Sequence, residues 1–212
     1  MQTKLIFIFV GLCVAALSGA ARAQNISDND LYQQALKQII EHDHPKQFAI
    51  WDQAISASVI ASERVPRHTP NYQFMQSMQG VTAGLELALL YNSIDARGLS
   101  GEAYDRRLNN FDVKTAEGQF LGFSDKTKLQ QMEVSANHLS IDQKPLVIGF
   151  SRVGYKLEKG QQYALFYTEI GLLGAESSYG GEGFLFARQG DKWQLKSHAY
   201  LWQGPSNPFW KW

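Results

Sequence analysis

Four runs in residues 145–202 decide the fold: PLVIGFSRVGY (145–155), QYALFYTEI (162–170), GFLFAR (183–188) and WQLKSHAYLW (193–202). The first two carry β-branched and aromatic side chains and the last two aromatic and leucine side chains, compositions that fit a pleated surface. Glu158-Lys159-Gly160 and Gln189-Gly190-Asp191 between them read as tight turns. The four runs are therefore expected to form an antiparallel meander. Run 162–170 is apolar on both faces, with Tyr163, Leu165 and Tyr167 on one and Ala164, Phe166 and Ile170 on the other. It is expected at the centre of the sheet. Strict alternation in run 193–202 sets Trp193, Leu195, Ala199 and Leu201 against Gln194, Lys196, His198, Tyr200 and Trp202, with one of these faces in the core.

Upstream the periodicity changes. Leu31, Ala35, Ile39 and Ile40 recur at helical spacing, with Ser27 or Asp28 placed to cap the helix and Pro45 to end it. Residues 47–55 (QFAIWDQAI) alternate as a strand does. A second helix is expected over 74–93, where Leu85, Leu89 and Leu90 form one stripe. Residues 95–128 are charged and glycine-dotted, with a helical turn or two at 101–109 and an extended stretch at 111–123. Helices preceding a run of strands define an α+β class. The expected architecture is N-terminal helices packed on a C-terminal antiparallel sheet, a meander of about four strands plus one earlier strand, in a single domain over 24–212.

Residues 1–23 read as a secretory signal peptide. Lys4 gives the n-region its charge, residues 5–17 carry none, and Ala21-Arg22-Ala23 supplies the small residues that a signal peptidase reads. The apolar run is shorter than the roughly 20 residues a membrane helix needs, and no later stretch is both long and charge-free. Cleavage after Ala23 takes Cys13, the one cysteine, with the peptide, so the mature chain is expected to hold neither a disulfide nor a thiolate metal site. Val10-Gly11-Leu12 before Cys13 departs from a lipobox. Cleavage also removes Lys4 and Arg22, which leaves 18 basic against 20 acidic side chains. With no basic cluster, nucleic acid is not an expected partner.

The segment Gly149-Phe150-Ser151-Arg152-Val153-Gly154-Tyr155, the strand Tyr163-Ala164-Leu165-Phe166-Tyr167, the glycines Gly180, Gly181 and Gly183, the strand Phe184-Leu185-Phe186 and the turn Gly190-Asp191-Lys192-Trp193 form a set. In that set the chain resembles a group of uncharacterised secreted bacterial proteins. The resemblance implies export and this fold, and transfers no catalytic residue.

Several patterns carry candidate chemistry. In Glu41-His42-Asp43-His44 alternate imidazoles could meet a metal if the segment were extended. At a helix end before Pro45, however, histidines are favoured by the negative end of the dipole, and no metal is expected. Ser151 follows an apolar strand as an elbow nucleophile would, but the spacing is not G-x-S-x-G and no helix follows; a β-bulge with Arg152 exposed accounts for it. The glycine-rich segment 171–183 lacks the lysine and the following helix of a phosphate cradle. It reads as a long hairpin connection, the kind of place where binding sits. Glu169 and Glu182 are placed to face each other across its mouth, with Tyr167 and Tyr179 beside them, a pair that could work on a sugar bond. The tail PSNPFWKW (205–212) packs three aromatics into four residues, which must cover a sheet face or meet a partner.

Together these features point to an exported, periplasmic or secreted, binding or interaction module of the cell envelope, of the kind an inhibitor or immunity factor would be. Its expected partner is another envelope or secreted protein, and no cofactor is expected. The residues expected to bind are Glu169, Tyr179, Gly180, Gly181, Glu182, Trp210 and Trp212. The alternative is a small periplasmic hydrolase acting on glycan or peptide by carboxylate chemistry.

Overall fold

A computed structural model of the chain describes residues 28–55, 112–175 and 179–203. The described residues form an α+β fold dominated by one mixed, mostly antiparallel seven-stranded sheet. Helix α1 occupies 28–43. Strands β1 (Gln47–Trp51) and β2 (Gln119–Ser124), helix α2 (Lys126–Ala136) and a 3-10 turn (Ile141–Gln143) follow. Then come β3 (Leu146–Phe150), β4 (Gly154–Glu158), β5 (Gln161–Leu172), β6 (Tyr179–Gln189) and β7 (Lys192–Gln203). The helix expected over 74–93, the turns at 101–109, the leader and the aromatic tail lie outside the described residues.

The strand order is β2-β1-β3-β5-β6-β7, with β4 also on β5. From β3 to β7 each strand pairs antiparallel with its neighbour. The other half corrects the expectation of one earlier strand. Both β1 and β2 join the sheet, and β1 lies parallel to β2 on one side and to β3 on the other. Such parallel neighbours need crossover connections rather than hairpins, and α2 lies in the one from β2 to β3. That helix starts at Asp125, whose carboxylate accepts the Lys128 backbone N–H at 2.8 Å.

The two faces of the sheet carry separate buried clusters. On one, Leu31, Leu36, Ile39 and Ile40 of α1 join Phe48, Ile50, Ile148, Phe150, Phe166, Phe184 and Phe186. On the other, Leu129 and Ala136 of α2 join Ala49, Trp51, Val147, Leu165, Tyr167, Leu185 and Leu201. Alternation thus sends successive residues of β1, β3 and β5 to opposite cores. Burying Phe166 completely contributes roughly 2–3 kcal/mol, and its ring stacks on Phe184 and Phe186.

Run 145–155 is interrupted. Phe150 pairs with Thr168 and Gly154 with Leu165, so four steps on one strand match three on the other. This is the bulge expected at Ser151. Ser151 is fully buried, its Oγ accepting the Tyr167 N–H at 2.9 Å and donating to the Arg152 carbonyl at 3.1 Å. It pins the bulge rather than presenting a nucleophile. Arg152 is half-buried, not exposed. Asp28 is not a cap either: it is already helical, and its carboxylate accepts the Tyr155 hydroxyl.

Two register shifts correct the reading of β7. Phe186 pairs with Leu195 but Leu185 with Ser197, and Glu182 pairs with Tyr200 but Gly181 with Trp202. The extra residue at Lys196 brings His198 and Tyr200 to the same side as Trp193 and Leu195, the α1 side. Leu201 falls to the α2 side. The expected division of this strand into one apolar and one polar face does not hold.

Candidate functional site

Helix α1 is shorter than the sheet it covers. Its last turn ends in an αL residue, His44 at φ 45, whose N–H bonds the Ile40 carbonyl at 3.0 Å, and Pro45 prevents continuation. Beyond that point the described residues leave a cavity on the α1 face of the sheet. Leu146, Ile170, Leu172 and Gly180, at the ends of β3, β5 and β6, line a cavity of about 680 Å³, a size usual for small-molecule sites. His42 and Asp43 bring the helix end to it, Tyr200 comes from β7, and His44, Lys46 and Asp142 stand at its rim.

Tyr200 couples the helix to the sheet. Its hydroxyl donates to Asp43 Oδ1 at 3.3 Å and lies 3.3 Å from His42 Nδ1, which is itself 2.8 Å from Asp43 Oδ1. Burial and the nearby carboxylates of Glu182 and Asp43 push the Tyr200 pKa up. In this setting the hydroxyl stays protonated and acts as a donor.

Under Tyr200 lies a buried row set by register: Phe150, Thr168, Glu182 and Tyr200 pair across β3, β5, β6 and β7. Glu182 is 1% exposed and its Oε2 lies 3.0 Å from His198 Nε2. The contact is not aligned as a hydrogen bond, and it is an ion pair when His198 is protonated. The Glu182 carboxylate raises the His198 pKa, against the opposing effect of burial. The His198 ring stacks on Phe184 at 4.9 Å, and Thr168 Oγ1 is buried without a hydrogen bond.

The cations at the cavity are mostly engaged. Lys46 Nζ meets Asp142 Oδ2 at 2.6 Å and His44 meets Glu117 at 2.9 Å. Lys144 Nζ turns to the last carbonyl of α2, Ala136 O, at 2.9 Å and to Gly174 O at 3.0 Å. Among the described residues, no three His, Cys, Asp or Glu side chains gather so as to hold a metal ion. No helix among them is long and apolar enough to cross a membrane.

The sheet separates the residues expected to bind. Thr168 pairs with Glu182 and Glu169 with Gly181, so Glu182 and Gly180 face α1 whereas Glu169 and Gly181 face α2. Glu169 and Glu182 do not confront one another, and the carboxylate pair read from the sequence is not formed. Both carboxylates are buried. Segment 171–183 is not a long loop either, since β5 runs to Leu172 and β6 begins at Tyr179. Gly181 and Gly149 flank Glu169 from the two adjacent strands, where the absence of side chains leaves it room. Trp210, Trp212 and the side chain of Tyr179 lie outside the described residues.

Of that set, Gly180 lines the cavity and Glu182 lies beneath Tyr200. Sequence reading missed His198 and Tyr200 as site residues, and weighed His42 and Asp43 for a metal before setting them down as a helix end. The spacing of His198 and Tyr200, two apart on a strand, was the available signal.

No family model and no curated relative matches the chain. Among solved structures, a sugar N-methyltransferase from a Streptoalloteichus species aligns over 82% of this chain and 72% of its own, at 10% identity and a TM-score of 0.18. A likeness that low carries no argument about fold or activity.

Proposed function

We propose that the protein is an exported, non-enzymatic binding module of the cell envelope, and that its recognition site is the cleft where α1 stops short of the sheet. The observation that carries this is the cavity of about 680 Å³ with an apolar floor of strand ends and a polar wall from His42, Asp43 and Tyr200. Apolar surface ringed by a few placed polar groups is the usual form of a ligand site. The signal-peptide reading of residues 1–23 supports a location outside the cytoplasm.

The full-length gene product, expressed with its own leader, tests both parts. The secreted or periplasmic form should begin at Gln24 by N-terminal sequencing. An envelope component should co-purify with it and be lost from Gly180→Leu, which fills the cleft floor while leaving the melting temperature within a few degrees. A component retained equally by both chains would move the site elsewhere. A chain that stays in the cytoplasm with its leader intact would overturn the export reading.

A further inference from the structure

We infer that the cleft, read as above as the recognition site, takes an organic cation: an ammonium or guanidinium group on an aliphatic stem, with the charge against Asp43 and Tyr200 and the stem on Leu146, Ile170 and Leu172. The inference rests on that reading and adds the ligand class.

Three observations converge on a positive charge. The first is the position of Asp43 in the last turn of α1, the negative end of the helix dipole, where a carboxylate is disfavoured and a cation favoured. His44 N–H satisfies the Ile40 carbonyl, and the carbonyls after it have no intrahelical donor. A carboxylate set among the last carbonyls of a helix makes a negative field that a cation relieves.

The second is the pairing around the cleft. Lys46 is neutralised by Asp142 and His44 stands against Glu117. The Lys144 ammonium is turned to the end of α2, which joins the core on the opposite face. Among the described residues Asp43 meets His42 Nδ1 and the Tyr200 hydroxyl, both of which leave its charge in place when His42 is neutral.

The third is Tyr200, 37% exposed at the cavity wall. An aromatic ring attracts a cation to its face. The floor of leucine and isoleucine suits methylene groups.

Two sources share this chemistry, a free amine and a lysine or arginine side chain of a partner. Titration of the full mature chain at pH 7.5, followed by NMR shifts, uses n-butylammonium, n-butylguanidinium, butyrate, and a blocked tetrapeptide carrying one lysine. The two cations should saturate with shifts at Tyr200 and Ile170, weaken as salt rises, and bind roughly tenfold more weakly to Asp43→Asn. Butyrate should not bind there. Tighter binding of the peptide than of n-butylammonium assigns the site to a partner's side chain, and the reverse order assigns it to a free amine. Salt dependence is read on the native chain, so it decides even if the variant misfolds. Butyrate binding as well as the cations, or no effect of salt and of Asp43→Asn, overturns the inference. An uncharged envelope ligand that is lost from Gly180→Leu would overturn it while leaving the binding-module reading intact.

Discussion

Glu182 of β6 and His198 of β7 hold their charged atoms 3.0 Å apart, although they are not register partners: Glu182 pairs with Tyr200, and Phe184 with His198. The contact is diagonal across two antiparallel strands, within reach of long side chains. It joins a carboxylate that is 1% exposed to an imidazole stacked on a core phenylalanine.

That contact has a definite pH signature. His198 is raised above its ordinary value by the Glu182 carboxylate. A group raised in the folded state contributes stability in full below its unfolded value, near 6.5 for histidine, and loses it as pH rises through the folded value. Melting temperature should therefore fall as pH climbs above about 6.5, and His198→Asn should flatten that slope. In an NMR titration the His198 midpoint should drop in Glu182→Gln. An unchanged midpoint would mean the two side chains do not interact in solution.

Asp28 behaves in the opposite sense to most carboxylates. Burial raises its pKa to about 6, with the Tyr155 hydrogen bond and Arg152 acting against the rise. The folded state thus prefers the protonated acid, and the stability it contributes is present below about 4 and lost as pH rises through about 6. Asp28→Asn keeps an acceptor for Tyr155 and removes the charge. It should stabilise the protein by about 1–3 kcal/mol above pH 6 and make little difference at pH 4. Urea denaturation at the two pH values measures this, and an equal effect at both would refute it.

Ser151 holds the bulge between β3 and β4 through the Tyr167 N–H. Ser151→Ala leaves that donor buried and unsatisfied, at a cost of about 1–3 kcal/mol. Ser151→Thr keeps the oxygen but adds a methyl group at a fully buried position. Equilibrium denaturation should rank native, then threonine, then alanine; an alanine variant as stable as the native chain would show that another group takes up the donor.

The β4–β5 turn has two positive backbone angles, Lys159 at φ 49 and Gly160 at φ 79, the requirement of a type I′ hairpin. Glycine meets it without cost and lysine does not. Lys159→Asn should raise stability by about 0.5–1 kcal/mol, measurable as a higher melting temperature. A lower one would mean that the Lys159 side chain contributes a contact worth more than the strain.

The antiparallel half of the sheet was legible because its signals are local. Alternation, aromatic content and glycine turns lie within 145–202, and both hairpin turns fall where the composition placed them. The parallel half was not, because the pairing of Phe48 with Phe120 and Leu146 leaves no trace within a window of ten residues. Helix α2 escaped notice because only Leu129 and Ala136 are fully buried, too thin a stripe for a periodicity argument. The site was misplaced for a sharper reason. One extra residue at Lys196 reverses which core β7 faces as far as Tyr200, and strict alternation therefore could not place His198 and Tyr200 beside Trp193 and Leu195. The same period-two argument, applied across β5 and β6, would have separated Glu169 from Glu182 had the register been known.

Strand β1 has a consequence for the order of assembly. It is the first strand among the described residues, yet both of its neighbours come much later, at Gln119 and at Leu146. Closing loops of that length is slow compared with forming the hairpins from β3 to β7. A chain emerging from its N-terminus therefore carries Phe48, Ile50 and Trp51 unpaired until most of its length has appeared, with both edges of β1 open. Among the described strands the first one made must wait for β3, and β2, which pairs with β1 alone, waits for it in turn; such prolonged exposure makes the early chain a natural client for a holding chaperone.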